Sequence, residues 1–169
     1  MIIYRCIVSD DEFVSDAYPM KIVDDVAYEI DCQLTTVKAG VDVDIGANPS
    51  AEEQEEALEE TSQQVINVVH SFRLQEIQFD KKAYQGHLKT YLKKLAAHVE
   101  TTNPDQDIAE WQTKISNFSK KILKNIKDYQ FFTGESYNMD GMIALLNYRE
   151  DGITPYLTMF KDGLKEQKV

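Results

Sequence analysis

Residues able to do chemistry fall in four places along this chain. Asp42 and Asp44 precede a glutamate run from Glu52 to Glu60, and carboxylate oxygens at such density are calcium ligands by type. The run lacks the turn glycine and the fixed ligand spacing of a tight site. It reads first as a solvated acidic loop, with weak calcium binding as the alternative. Cys6 and Cys32 are the two cysteines, and neither has a CxxC or other metal-ligand spacing. They read as small buried strand residues, against the sharper options of a disulfide or a redox pair. His70 lies among alternating apolar residues and reads as a satisfied core histidine. His87 and His98 are badly spaced for a shared metal. Lysines cluster from Lys81 to Lys94 and from Lys120 to Lys127. Each cluster is either a solvated helix face or a dock for an acidic partner. No nucleophile elbow, phosphate-binding glycine loop, HExxH or EF-hand spacing occurs, so neither an enzyme nor a bound cofactor or metal is expected.

Composition narrows the partners. The chain has 169 residues, 43% of them hydrophobic, enough for one domain with a real core. Its formal net charge of −11 repels phosphate backbones and anionic membrane on average, so direct nucleic-acid or membrane binding is not expected. The start MIIYRCIVSD has no basic segment followed by a long apolar run, and no stretch approaches the ~20 apolar residues of a membrane span. A cytosolic location with reduced thiols is the expectation.

The elements that position these groups follow from periodicity. Ile2–Val8 is β-branched and aromatic, a first strand. Ser9 and Glu12 have capping-box spacing, which predicts a short helical turn. Val26, Tyr28, Ile30, Cys32 and Leu34 alternate with polar residues, a half-buried strand. Residues 38–64 carry too little apolar surface to offset their ordering entropy and are expected to form a mobile acidic loop, in part transiently helical. Ile66, Val68, His70, Phe72 and Leu74 share a face if Val65–Leu74 is a strand. Asp80 is a good N-cap, with Phe79 able to staple onto Tyr84. A stripe of Tyr84, Leu88, Tyr91, Leu92, Leu95 and Val99 then predicts one helix. Pro104 suits the first position of the next, and Ile108, Trp111, Ile115, Phe118, Ile122 and Ile126 step along it. The short connection predicts an antiparallel helical hairpin over 80–128. From Asp128 to Leu164 the pattern is an antiparallel meander. Its middle strand, Met142–Tyr148, is apolar on both faces, and Gly152 is placed to take a positive φ in the return turn.

Two stretches also carry a resemblance. The first is Phe131-Phe132-Thr133-Gly134-Glu135 with Asp140-Gly141-Met142-Ile143, continuing through Tyr148–Tyr156 and Phe160-Lys161-Asp162-Gly163-Leu164. The second is Ile45–Glu52, including Gly46, Asn48, Ser50 and Glu52. Together they resemble the two signatures of the translationally controlled tumour protein family, over the whole chain. That resemblance implies a single α+β domain over 1–169. Its twisted, mainly antiparallel sheet (a β-tent shared with small guanine-nucleotide-exchange chaperones) would carry a long antiparallel helical hairpin and a flexible acidic loop. It implies a non-enzymatic interaction protein of protein synthesis and growth control, cytoplasmic and partly cytoskeleton-associated. The implied partners are a small GTPase or elongation factor, tubulin and microtubules, the ribosome and weakly bound calcium. Glu12 would be the GTPase contact, with the capping box as the equal alternative. Lys89, Lys93, Lys94 and Lys120 would be the tubulin-binding candidates.

Overall fold

The computed structural model describes residues 1–38 and 62–169. Three antiparallel sheets are formed among them. β1 (Ile2–Cys6) lies between β2 (Glu12–Ser15) and β11 (Leu164–Lys168). The six-stranded sheet has the order β3 (Met20–Val23), β4 (Ala27–Asp31), β10 (Pro155–Phe160), β9 (Ala144–Tyr148), β8 (Gln130–Thr133), β7 (Gln75–Ile77). β5 (Leu34–Lys38) and β6 (Ser62–Ile66) form a separate ribbon. The helices are α1 (Asn67–Ser71), α2 (Lys81–Thr102) and α3 (Ile108–Lys124). This is the expected α+β class, a largely antiparallel sheet system with a helical hairpin.

The meander forms as its apolar pattern requires. β9 is interior to the sheet, and Ala144, Leu145 and Leu146 are all buried. Gly152 turns the chain at φ 70°. The hairpin packs on this sheet through the two stripes. Tyr84, Leu88, Tyr91, Leu95 and Val99 of α2 are buried, as are Trp111, Ile115, Phe118 and Ile122 of α3. Each large apolar side chain so buried contributes about 1.5–3 kcal/mol, which sets the hairpin's position. Rings make the junction: Tyr84 lies 5.3 Å from Phe131 of β8, and Phe118 lies 5.9 Å from Phe160 of β10. Asp80 caps α2 by accepting the Ala83 N–H at 2.7 Å, and the Phe79 ring sits 5.9 Å from Tyr84.

Four expectations are corrected. Ser9–Glu12 is not a helical turn. The Cys6 N–H donates to Asp11 O and the Asp10 N–H to Cys6 O, both at 2.9 Å, so strand reversal takes the backbone groups a helix would need, and Glu12 opens β2. Val65–Leu74 is not one strand. β6 stops at Ile66 because Asn67 Oδ1 accepts the Val68 N–H at 2.8 Å and the Gln33 N–H at 3.0 Å, starting a helical turn that leaves His70 exposed rather than in the core. α3 begins at Ile108, not Pro104. Asp107 accepts the Ala109 and Glu110 N–H groups at 3.1 and 3.2 Å as the N-cap, while 103–106 close a separate turn through the Gln106 N–H to Asn103 O at 3.1 Å. The 26–34 alternation holds through buried Cys32, whose N–H extends the β4–β10 ladder in register to Pro155 O at 2.8 Å, and breaks after it: the Gln33 N–H goes to Asn67 Oδ1 at 3.0 Å, and Leu34 is exposed. Of the expected loop 38–64, Lys38 and Ser62–Gln64 lie in strands, and the rest is outside the described residues, with Asp42, Asp44, Gly46, Asn48, Ser50 and Glu52.

Candidate functional site

Glu12 stands where β2 begins. The β1–β2 register shifts between Tyr4 and Arg5, setting Tyr4 opposite Val14 and Arg5 opposite Glu12. Phe13 is the extra residue of this bulge, so Phe13 and Val14 are buried side by side while Glu12 turns outward. Arg5 Nη2 donates to Glu12 Oε1 at 2.9 Å, with the glutamate side chain 40% exposed. Arg5 also donates to Asp10 O at 2.9 Å and, through Nε, to Gln167 Oε1. Glu12 is therefore a paired rim carboxylate, and an exposed pair of this kind is worth about 0–1 kcal/mol.

The rim extends to a stretch distant in sequence. Asp11 Oδ2 accepts from Ser136 Oγ at 2.6 Å and from Ser136 N–H at 3.3 Å. That approach explains Gly134, where a Cβ would fall 2.4 Å from the Asp11 carboxylate. Glu135 pairs with Arg73 at 3.0 Å and Asp10 with Lys165 at 2.7 Å. The Lys165 hydrogen bond and charge hold the Asp10 carboxyl below its ordinary range. Thus the SDDE segment shares one charged edge with the Thr133–Glu135 end of the signature stretch and the adjoining Ser136, a juxtaposition invisible in the linear sequence.

The second surface is the outer side of the hairpin. A groove of about 410 Å³ runs between α2 and α3. Leu92 and Ala96 of α2 and Ile115 and Leu123 of α3 supply apolar lining, and Lys89, Lys93 and Lys120 line it as well. At 100° per residue these lysines sit further round each helix from the sheet than the apolar residues, so they form the rim. Lys94 is not among the lining residues. It lies toward His87, whose imidazole is pushed below its ordinary value mainly by burial, with Lys94 adding to that shift. The structure thus gathers three of the four lysine candidates and separates the fourth.

The inner side of the hairpin uses residues the sequence reading missed. Trp111 Nε1–H donates to Asp162 Oδ2 at 2.7 Å. A Cβ on Gly163 would lie 2.0 Å from Tyr91 Oη, so the helix packs only against a bare α-carbon there. Lys114 reaches Asp25 at 3.1 Å and Lys121 reaches Asp24 at 2.8 Å. Asp24 and Asp25 both have positive φ, 52° and 66°, in a turn closed by the Val26 N–H to Val23 O at 3.2 Å. An Asp-Asp pair between Met20–Val23 and the alternating strand was a readable signal for such a turn.

The thiols are separate. Both are free and buried. Cys6 Sγ accepts the Met142 N–H at 3.2 Å and those of Val8 and Ser9 at 3.4 Å, closing the β1–β2 turn. Burial pushes the Cys32 thiol up to about 12, and it donates to Ile30 O at 3.4 Å. Among the described residues no group of three or more His, Cys, Asp or Glu side chains is placed to hold a metal, and no helix is long and apolar enough to cross a membrane.

Fold and surfaces together define an α+β protein with two well-formed charged exterior sites, an edge around Glu12 and a lysine-rimmed helical groove. The sequence matches the family model described as translationally controlled tumour protein over residues 1–165. It is 52% identical to the translationally-controlled tumor protein homolog of Schizosaccharomyces pombe, over 99% of both chains, and 54% identical to that of Mycosarcoma maydis over 100% of both. The solved structure of the Schizosaccharomyces pombe translationally controlled tumor-associated protein superposes with a TM-score of 0.83 over 100% of both chains, at 52% identity. The Caenorhabditis elegans translationally-controlled tumor protein superposes at 0.74, with 32% identity over 100% of this chain and 99% of that one. The chain belongs to the translationally controlled tumour protein family.

Proposed function

We propose that this protein is a cytoplasmic, non-enzymatic interaction protein of protein synthesis and growth control, contacting a small GTPase or an elongation factor through the edge that carries Glu12. One observation supports the reading above others: Asp11 and Ser136, 125 residues apart, hydrogen-bond at 2.6 Å and bring the SDDE segment beside the end of the Phe131–Glu135 signature stretch on one exposed edge. Paired charges on a rigid sheet rim fix the orientation of a partner more than they add affinity. The test is nucleotide release from the GTPase with the parent protein, Glu12→Val and Glu12→Gln. The parent accelerates release and both variants fail to, while their melting curves stay near the parent's. Equal release rates and equal GTPase affinity would remove Glu12 from the account.

The second reading is microtubule binding by the hairpin, with ribosome association and weak calcium binding as further family expectations. It is favoured by Lys89, Lys93 and Lys120 sharing one groove. Among the described residues they enter no ion pair, whereas Lys114 and Lys121 do. Cosedimentation with microtubules weakens as salt rises and after charge reversal at Lys89, Lys93 and Lys120, because exposed charges are screened. Salt-insensitive binding would defeat this mechanism.

A further inference from the structure

We propose that the groove between α2 and α3 receives an acidic amphipathic α-helix of a partner protein. The proposal rests on the reading of the lysine face as a docking surface and gives that surface a specific occupant.

The lining sets the shape of the occupant. Leu92, Ala96 and Leu123 are only half-buried, although neighbours on the same helices are fully covered by the sheet. They form an apolar strip with buried Ile115 at its base. Two packed helices present parallel ridges at i, i+3 and i+4 spacing, and the element whose side chains fit between such ridges is a third helix. From Trp111 to Leu123 the α3 wall runs about 18 Å at 1.5 Å per residue, so a helix of roughly three to four turns spans it. Ser119, the buried hydroxyl on the wall, already donates to Ile115 O at 2.7 Å, so the occupant needs no polar group there.

Charge sets its chemistry. Lys89 and Lys93 stand on one rim and Lys120 on the other. In an antiparallel pair the first half of α2 lies beside the second half of α3, which brings Lys89 and Lys120 to the same end of the groove, with Lys93 about one turn further along. The chain as a whole carries −11, so an acidic partner is repelled from most of the surface and attracted here. The long lysine stems can lie along the apolar edge of an incoming helix while their ammonium groups meet its carboxylates. A disordered acidic tail satisfies the lysines and leaves the leucines wet. An amphipathic helix with acidic flanks satisfies both.

The probe is a capped model peptide of roughly 14 residues, about 21 Å long as a helix, with leucine at i, i+3, i+4 and i+7 and glutamate on both flanks. A scrambled peptide of the same composition and an oligoglutamate of equal length serve as controls. Binding is followed by fluorescence anisotropy and by amide chemical-shift changes in the full chain. The amphipathic peptide binds, the shifts fall on Leu92, Ala96 and Leu123, and Leu123→Gln weakens binding about tenfold with the melting temperature little changed. Charge reversal at Lys89, Lys93 and Lys120 weakens it by a similar or larger factor and flattens its salt dependence. Equal affinity for the scrambled peptide, shifts elsewhere, or no effect of Leu123→Gln overturns the proposal. Microtubule cosedimentation separates this from the reading beneath it. If oligoglutamate binds as well as the amphipathic peptide while microtubule binding still needs the lysines, the helix occupant is wrong and the lysine dock stands. If microtubule binding is insensitive to both salt and the lysines while the amphipathic peptide still binds the groove, the microtubule reading fails and the helix occupant stands.

Discussion

The two sides of the helical hairpin carry the same residue types and do opposite things. On the inner side Lys114 and Lys121 are committed to Asp25 and Asp24 of the β3–β4 turn, Trp111 to Asp162, and Tyr91 to the space left by Gly163. On the outer side Lys89, Lys93 and Lys120 border half-buried leucines and enter no ion pair among the described residues. A lysine on this hairpin therefore has no fixed meaning. One row stitches the helices to the sheet, and the other is left for something outside the fold.

Substitutions should separate the sides by what they change. The largest effect is expected at Gly163→Ala. The new methyl meets Tyr91 Oη, and Tyr91 is 1% exposed with little room to swing, so overpacking costs about 3 kcal/mol and lowers Tm by roughly 6–12 °C. Adding Tyr91→Phe removes the blocking oxygen and recovers part of the loss; strict additivity of the two changes in calorimetry would refute the contact. Next is Asp162→Ala, which leaves the buried Trp111 ring in place and deletes the acceptor of its hydrogen bond. It should cost about 1–2 kcal/mol in urea unfolding, and a cost indistinguishable from zero would mean that the bond does not tether α3.

A smaller, pH-dependent contribution comes from the flank. Burial keeps the folded His87 imidazole below its ordinary value, against the opposing pull of Met139 O and Asp140. The unfolded chain takes up this proton as pH falls through about 6.5 and the folded chain resists it. The contribution is thus fully present above that pH and is lost as pH falls from there through the folded value. The lowered carboxyls of Asp10, Asp25 and Asp151 titrate below this window. His87→Gln should reduce the difference in urea midpoint between pH 7.5 and 5.5, and an unchanged difference would assign it to other groups. The smallest effects are expected from Asp24→Asn, at most about 1 kcal/mol and weaker in high salt, and from Lys120→Gln, within about 0.5 kcal/mol of zero. A larger stability loss at Lys120 than at Asp24 would erase the contrast between the two sides.

Long periodic segments were readable in advance because burial must repeat along them. The Tyr84–Val99 and Trp111–Ile122 stripes, the Asp80 cap, the Phe79 staple and the interior placement of β9 all follow from local spacing. Short segments were misread where a distant group decided the outcome. Ser9–Glu12 has the pattern of a helix start, and Ser9 Oγ does accept the Asp11 N–H at 3.3 Å, but the Ser9 and Asp10 N–H groups go back to Cys6 and the chain continues as a strand. Val65–Leu74 alternates like a strand, and Asn67 breaks it by bonding back to Gln33. The glycines of the signature were recognisable as a motif. Their reasons, the Asp11 carboxylate beside Gly134 and Tyr91 beside Gly163, belong to other elements.

By itself the sequence determined the class of fold, the amphipathic faces of both long helices and an acidic chain with local lysine clusters, since periodicity and charge are properties of neighbours along the chain. Only the tertiary structure decided which lysines are consumed by the fold and which border a groove, and that the SDDE segment meets Ser136. Those outcomes depend on which atoms come within a few ångströms across more than a hundred residues. That is settled by packing the core, and no local pattern carries it.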